Sequence, residues 1–372
     1  MNRFIIPTKI YSGVDSLEVL TNINNQQIMM VCDSFLPGTD SLKQIEQHVP
    51  SNNAVTIFSD VLPDPPLDNI MSGVEIFQQV KPTVMIAIGG GSAIDTAKAI
   101  RYFGEKINQE NIHCFIAIPT TSGTGSEVTN TAVVSDTKKG VKFPIIKDHL
   151  TPDIALLDPS LVVSAPKSVT AFSGLDVLTH ALEALVAKDA DLFTDALAEK
   201  AIDIVSNELV AAYEDGNNLE KRQHIHEASC EAGLAFNMAG LGICHSLAHQ
   251  LGAKFHVPHG LANAMLLPYI IEFNGQDKVV AKKYAEAIKK AAIGSASLSD
   301  SMQIKRMQKH IFKMMHVMNC PKTLTEFGIS EKDVLENMDW VVSHAKEDGT
   351  FPGNPIVPTD QELKAIVMKI IK

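Results

Sequence analysis

The chain has few cysteines, no excess of positive charge and no uninterrupted apolar run of membrane length. Its five cysteines stand singly along 372 residues, a pattern typical of reduced thiols rather than a disulfide framework. A net charge of −11 at pH 7 provides no domain-wide positive field for nucleic acid. Runs such as 84–88 are far shorter than the ~20 residues of a membrane helix, and residues 1–13 lack a signal-peptide pattern. We therefore expect a cytoplasmic protein with no nucleic-acid or membrane partner.

The composition is that of a folded globular protein. Hydrophobic residues make up 45% of the chain and charged residues 20%, which argues against a disordered chain. A prior of about 150 residues per domain suggests two domains for this length.

Residues 1–162 carry the pattern of an α/β domain with a parallel sheet. Short β-branched runs alternate with helical patterns, as in βαβ units. The predicted strands are 28–32, 54–58, 84–88, 115–118 and 154–157, with a further strand near Phe4.

Residues 163–372 show almost no strand signal and predict an all-helical domain. Segments rich in Ala, Leu, Glu and Lys have helical spacing. They cover 196–213, 281–292, 302–318 and 360–371. The boundary lies between Pro159 and Pro166, and we expect a cleft between the domains to hold the functional site.

A glycine-rich turn follows the strand 84–88. The sequence Gly89-Gly-Gly-Ser92 leads into a helix, and Ser92 and Asp95 have capping-box spacing. Glycines allow close approach of a ligand and a helix N-terminus favours an anion, so a pyrophosphate site is predicted. The alternative is a tight βα turn that needs glycine for its geometry alone. Ile94 replaces the third glycine of the ordinary Rossmann fingerprint, and no P-loop lysine follows.

Two further polar features follow strands and are expected at the same sheet edge. The loop 119–126 is rich in hydroxyl groups, and Asp33 ends the strand 28–32. A carboxylate at this position can bind ribose hydroxyls and repel a 2′-phosphate, which favours NAD(H) over NADP(H). The alternative is that Asp33 is only a turn former.

Four of the 13 histidines lie within residues 245–259. His245 and His249 are four residues apart and share a helix face, and His259 follows Pro258 in a turn. The alternative is that these histidines bind no ion and are hydrogen-bonded side chains of the core or of an interface. Ser246 occupies the position of the zincin glutamate, so that motif is absent.

Asp176 and His180 form a second pair four residues apart, within an apolar helical segment. A buried carboxylate is costly there unless it binds something. Together the two pairs offer oxygen and nitrogen donors suited to Fe²⁺ or Zn²⁺ rather than to Ca²⁺ or a thiolate-rich zinc site.

These motifs resemble the iron-containing (group III) alcohol dehydrogenase family over nearly the whole chain. The segments that carry the resemblance are 89–98, 119–128, 174–183 and 245–260. It implies a dehydroquinate-synthase-like dinucleotide domain, a helical metal domain and a homodimer or larger assembly. It also implies that Asp176, His180, His245 and His259 are metal ligands and that His249 is an active-site histidine outside the ligand set.

The resemblance further implies contacts to cofactor and substrate. Asp33 matches the residue that selects the ribose, Phe236 a residue of the substrate pocket, and Lys142, more weakly, a cofactor-side lysine. The other matches to cofactor contacts are Gly90, Gly91, Ser92, Thr120, Thr121 and Thr124, to which we add Asp95 of the glycine-turn motif.

The predicted function is that of an NAD(H)-dependent, metal-assisted alcohol dehydrogenase that interconverts short-chain aldehydes, such as propionaldehyde, and primary alcohols. The ion acts as a Lewis acid and His249 as proton relay. The segments 8–13, 32–33 and 193–200 most resemble the propanol-forming branch of propanediol-utilisation microcompartments, whose enzymes are candidate partners.

Three alternatives stay open. The first is a lyase similar to dehydroquinate synthase, which would need several cationic groups where the metal-side motifs supply only Lys254. The others are a glycerol or diol dehydrogenase of the same superfamily and a non-catalytic metal- or nucleotide-binding protein.

Overall fold

The computed structural model describes residues 4–109, 111–137 and 141–372, with the backbone alone at Val141. The chain divides into two compact units. Ile5–Ala165 form the first, called the N-terminal unit, and Pro166–Lys372 with Phe4 form the second, called the C-terminal unit. The predicted boundary between residues 162 and 163 lies a few residues before this division.

The N-terminal unit contains eight strands among its described residues, which are β1 Lys9–Ser12, β2 Gln27–Asp33, β3 Ala54–Val61, β4 Val84–Gly89, β5 Cys114–Pro119, β6 Thr131–Asp136, β7 Val141–Ile146 and β8 Ile154–Leu157. Six of them form a parallel sheet of strand order β1-β8-β5-β4-β2-β3. Strands β6 and β7 form a separate antiparallel hairpin. The helices are α1 Asp40–His48, α2 Leu67–Val80 and α3 Gly91–Asn108.

The predicted parallel sheet is confirmed, because the five predicted runs correspond to β2, β3, β4, β5 and β8. The expected strand near Phe4 is wrong, since the N-terminal strand is Lys9–Ser12 and all four of its residues are exposed. An exposed edge strand contains no buried apolar run by which a sequence pattern could locate it. Central strands differ, because all six residues of β4 are buried, as a sheet covered on both faces requires.

The C-terminal unit is helical, as predicted, and residues 166–372 are all described. Its ten helices are α4 Lys167–Val186, α5 Leu192–Glu214, α6 Leu219–Ala239, α7 Ile243–Phe255, α8 His259–Asn274, α9 Lys278–Lys290, α10 Asp300–Val317, α11 Leu324–Phe327, α12 Glu331–Glu347 and α13 Asp360–Lys369. A single large apolar core contains residues from most of them.

Helix α4 runs through this core. By length and composition it is the one helix among the described residues that could cross a membrane, but 83% of the apolar window is buried inside the protein. The sequence-based expectation concerned uninterrupted apolar runs, and α4 is not such a run, because it includes polar residues such as Asp176. Its burial is that of a core helix.

Candidate functional site

Three predicted cofactor-binding segments meet at one edge of the N-terminal sheet. Strands β2, β4 and β5 are neighbours, so Asp33, the glycine turn and the loop 119–126 all lie at their carboxyl ends. The backbone N–H of Thr120 donates to the Gly89 carbonyl over 3.0 Å. A Cβ added at Gly90 would lie 3.3 Å from Thr121 Oγ1, and one at Gly91 would lie 2.6 Å from Thr124 Cγ2. The two loops are therefore in direct contact.

Helix α3 begins at Gly91, with Ser92 in its first turn. Its N-cap is Gly90 and no side chain caps it, so the predicted capping box of Ser92 and Asp95 is wrong. The Asp95 carboxylate instead accepts from Ser126 Oγ at 2.6 Å and from the Val133 N–H at 2.9 Å. These bonds tie α3 to the hydroxyl-rich loop and to β6. The helix start keeps the character of an anion site, and direct contact of Asp95 with a cofactor stays a prediction.

Asp33 shapes the glycine turn. Its Oδ2 accepts from the Gly90 N–H at 3.0 Å. Gly89 has a φ of +144°, and a Cβ there would lie 2.3 Å from the same oxygen, so only glycine fits. Burial raises the pKa of the Asp33 carboxyl, and the Gly90 hydrogen bond opposes that shift. The carboxylate thus has a structural contact in addition to its predicted role in ribose selection.

A buried lysine behind this edge is a feature that the sequence pattern does not single out. Lys98 is fully buried, and its Nζ donates to Ser126 Oγ at 3.0 Å, Thr129 Oγ1 at 3.0 Å and the Thr131 carbonyl at 2.9 Å. Burial lowers its pKa to about 8, against the charges of Asp95 and Glu127. The position of Lys98 in the sequence could have indicated its burial, because Lys98 is one turn from Ile94 on the apolar side of α3.

Lys142 lies in β7, and its Nζ forms an ion pair with Asp64 Oδ1 at 2.6 Å. The predicted contact of this lysine with a cofactor stays a prediction.

In the C-terminal unit, the four predicted metal ligands converge. Asp176 and His180 are one turn apart on α4, His245 lies on α7 and His259 is the first residue of α8. One ligand atom from each lies within 4.8 Å of every other. A Cβ at the neighbouring Gly260 would lie 2.1 Å from the Phe172 carbonyl oxygen, so glycine permits α8 to start against α4.

The carboxylate and imidazoles of this four-donor group shift one another's pKa. Burial alone would raise the pKa of Asp176, but His259 and His180 hold it well below its usual range. Burial alone would lower the pKa of His245, but Asp176 and Glu183 raise it to about 9. His245 Nε2 is buried and, in the part of the chain that the structure describes, has no hydrogen-bond partner. One carboxylate and three imidazoles in this arrangement fit Fe²⁺ or Zn²⁺.

Two buried residues support the group and were not singled out as site residues by the sequence pattern. Glu183 Oε2 accepts from His245 Nδ1 at 2.6 Å, and its Oε1 accepts from the Cys244 N–H at 2.7 Å. Asn263 Nδ2 donates to Asp176 Oδ1 at 2.7 Å. Glu183 lies seven residues after Asp176 on the same face of α4, and this spacing could have indicated that it is close to the site.

His249 and Phe236 border the four-donor group. The His249 ring centroid is 5.3 Å from that of His259 and 6.0 Å from that of His245. Its Nδ1 lies 2.8 Å from Asp348 Oδ2. The Phe236 ring stacks on His180 with 4.5 Å between centroids. The predicted roles of these two residues, in proton relay and in the substrate pocket, stay predictions.

Family models match both parts of the chain. The model for the C-terminal domain of the Fe-containing alcohol dehydrogenase family matches residues 170–371, and the model for iron-containing alcohol dehydrogenase matches residues 7–159. The chain belongs to the iron-containing alcohol dehydrogenase family. The resemblance of the four motifs is thereby confirmed, and so is the assignment as an oxidoreductase.

Members of the iron-containing alcohol dehydrogenase family are similar to this sequence over all or nearly all of its length. The sequence is 42% identical over 371 residues to the 1-propanol dehydrogenase PduQ of Citrobacter freundii, covering 100% of both chains. It is 37% identical to the NADPH-dependent butanol dehydrogenase of Clostridium saccharobutylicum, over 98% of this chain and 97% of that one. A crystal structure of 1,3-propanediol oxidoreductase superposes with a TM-score of 0.91 at 29% identity, covering 100% of both chains.

Proposed function

We propose that this member of the iron-containing alcohol dehydrogenase family is an NAD(H)-dependent dehydrogenase that interconverts short-chain aldehydes, such as propionaldehyde, and primary alcohols. The observation that carries the proposal is the convergence of Asp176, His180, His245 and His259 within 4.8 Å. Full-length similarity to the 1-propanol dehydrogenase PduQ supports the substrate class.

The four donors would hold Fe²⁺, with Zn²⁺ as the other fitting ion. When bound, the divalent ion supplies Lewis acidity toward a carbonyl or alkoxide oxygen. His249 lies beside the donors with Nδ1 tied to Asp348, so its Nε2 is the atom that would take up or release the proton. Phe236, stacked on His180, presents an apolar surface suited to a short alkyl chain.

The N-terminal sheet edge would bind the dinucleotide. The start of α3 and the loop 119–126 suit the pyrophosphate, and Asp33 suits the ribose hydroxyls of NAD(H). One similar relative carries NADPH-dependent in its name, so we rest the NAD(H) preference on Asp33 itself. We further propose a homo-oligomeric enzyme that works with enzymes of a propanediol-utilisation microcompartment.

Reduction of propionaldehyde by anaerobically purified protein tests the proposal. Iron and zinc are quantified on the same preparation, and rates with NADH and NADPH are compared over an aldehyde panel that includes diol-derived aldehydes. We expect about one ion per chain. We also expect kcat/KM to be higher with NADH than with NADPH, and higher with propionaldehyde than with the diol-derived aldehydes. Stoichiometric metal without reduction of any aldehyde would overturn the proposal and favour the lyase alternative.

A further inference from the structure

Glu183 contacts a proposed metal ligand without belonging to the four-donor group. We propose that Glu183 is a positioning residue, which holds the His245 ring in the orientation and tautomer that direct Nε2 toward Asp176. This inference rests on the proposed metal site. It concerns a residue that contacts the site through the side chain of His245.

The geometry around Glu183 leaves its carboxylate little freedom. Its side chain and that of His245 are each 2% exposed. Oε2 accepts from His245 Nδ1 and Oε1 accepts from the Cys244 N–H, so the two oxygens bind consecutive residues at the start of α7. Because Glu183 is on α4 with Asp176 and His180, one helix positions two donors directly and a third through a hydrogen bond.

The hydrogen bond decides which nitrogen of His245 can act as a donor. A carboxylate only accepts, so the proton of a neutral His245 ring resides on Nδ1 and the lone pair on Nε2. Nε2 lies 3.7 Å from Asp176 Oδ1, on the side of the ring that faces the other donors. A carboxylate behind a ligating histidine also increases its basicity and therefore its affinity for a cation.

An amide cannot replace this carboxylate. Glutamine has one acceptor oxygen, while the His245 Nδ1–H and the Cys244 N–H both need an acceptor. If the amide NH₂ faced His245, Nδ1 would have to accept and the proton would move to Nε2, where it would block metal coordination. If the oxygen faced His245, a buried backbone N–H would lose its partner.

Co²⁺ binding to the metal-free full-length chain tests the inference. We expect Glu183→Gln to weaken Co²⁺ binding by about 10- to 100-fold, as for other residues that support metal ligands, and to change the visible d–d spectrum of the bound ion. Chelator competition gives the affinity, and thermal unfolding of the metal-free protein reports on the fold. Unchanged affinity and an unchanged spectrum in Glu183→Gln would overturn the inference.

Asp348→Asn is the matched control, because it makes the same change from carboxylate to amide beside a histidine. That histidine, His249, lies on the same helix as His245 but outside the four-donor group. The Asp348→Asn variant should bind Co²⁺ as the unchanged protein does. A cycle with His245→Ala adds a second criterion. Once His245 is gone, Glu183→Gln should alter the residual Co²⁺ affinity less than twofold, and a full additional loss would contradict action through His245.

Glu183→Asp decides the question if Glu183→Gln does not fold. It keeps the charge but, with one methylene fewer, cannot reach both Nδ1 of His245 and the Cys244 N–H, so weaker Co²⁺ binding is expected and unchanged binding refutes the inference. If the unsubstituted protein itself fails to bind Co²⁺, the proposed metal site is wrong. That outcome is distinct from tight binding that Glu183→Gln leaves intact.

Discussion

His245 and His249 lie one turn apart on α7 and differ in the groups that surround them. His245 is buried between Asp176 and Glu183, whereas the His249 side chain is 36% exposed and is paired with Asp348. Identical side chains on one helix face thus have different carboxylate neighbours. Under the proposed roles, substituting each of them should separate metal binding from proton transfer.

His245→Ala or His259→Ala should abolish tight metal binding and activity together. Each change removes one of four donors and leaves the others uncompensated in a buried site. The loss of affinity should exceed the about 100-fold that removal of a supporting residue causes. Metal analysis after gel filtration, together with kcat, checks this, and near-normal turnover with a full metal complement would contradict the ligand assignment.

His249→Ala should retain near-stoichiometric metal but lose about 100-fold or more in kcat, the usual contribution of a positioned proton-transfer group. The pH dependence of alcohol oxidation should change most, since a proton must leave in that direction. Metal content and kcat are measured across pH on one preparation. Loss of metal would make His249 a ligand, and an unchanged pH profile would make it a bystander.

Asp33→Gly should shift the ratio of kcat/KM for NADH to that for NADPH toward NADPH by about tenfold, equivalent to about 1.4 kcal/mol of removed charge repulsion. The Gly90 hydrogen bond suggests Asp33→Asn as the companion variant, because asparagine keeps an acceptor for that N–H. Asn should shift the ratio while keeping more of the activity than Gly. If both variants leave the ratio unchanged, Asp33 is only a turn residue.

At the scale of elements, the start of α3 and the loop 119–126 are held by buried charges. Lys98 and Asp95 both bind Ser126, and Glu127 next to it is 2% exposed. Burial raises the pKa of Glu127 from 4.5 to about 7, partly offset by the charge of Lys98. The stability of this unit should therefore depend on pH.

Glu127→Gln should exceed the original protein in stability by a larger amount at pH 8 than at pH 5. Between pH 4.5 and 7 the unfolded state has lost the Glu127 proton while the folded state retains it, so this group's contribution to stability falls as pH rises. Glutamine resembles the protonated acid and removes that fall, a gain on the order of 2 kcal/mol. Urea unfolding at both pH values measures it.

The exposed Glu75 of α2 provides the control for this comparison. Glu75→Gln makes the same chemical change in the same unit. Its effect on the free energy of unfolding, relative to the original protein, should be the same at pH 5 and pH 8. A pH-independent effect of Glu127→Gln would show that the Glu127 carboxyl is ionised without cost in the folded protein.

The sequence predicts elements whose burial leaves a pattern and misses those whose role depends on distant partners. The central strands and the helices of the C-terminal half were correctly predicted from apolar runs and helical spacing. The exposed strand β1 and the hairpin of β6 and β7 were missed because neither contains a long buried run. The predicted capping box failed because Ser126 and Val133, 31 and 38 residues away along the chain, bind Asp95.

At the scale of the whole molecule, the residues of the two proposed sites lie in different units. The proposed metal donors all lie within Pro166–Lys372, and the proposed dinucleotide edge lies within Ile5–Ala165. The two pairs of residues spaced by four predict a metal site, but the proposed ligand set follows from the family resemblance, since His249 of one pair lies outside that set and His259 belongs to neither pair. The contacts of Glu183 and Asn263 could not be predicted, because nothing in the spacing shows which buried polar side chain a histidine or an aspartate binds.

Because the residues proposed for the metal ion and for NADH lie in separate units, we expect the metal ion and NADH each to bind without the other. His245→Ala, which should bind no metal tightly, is expected to bind NADH with a Kd within about threefold of the original value, a difference below 1 kcal/mol. Asp33→Gly should likewise keep its full metal content. NADH fluorescence titration and metal analysis check the two expectations, and loss of NADH binding in His245→Ala would show that the sites are coupled.

The placement of Asp176 and His180 on the core helix α4 has a consequence for how the protein is assembled. The four donors span residues 176–259 and converge only when α4, α7 and α8 have packed together. No short stretch of the nascent chain contains all four proposed donors, in contrast to a zinc finger, whose folding requires its metal. We therefore expect refolding rates that are independent of added Zn²⁺, and iron-starved cells that accumulate folded enzyme which regains activity when iron returns.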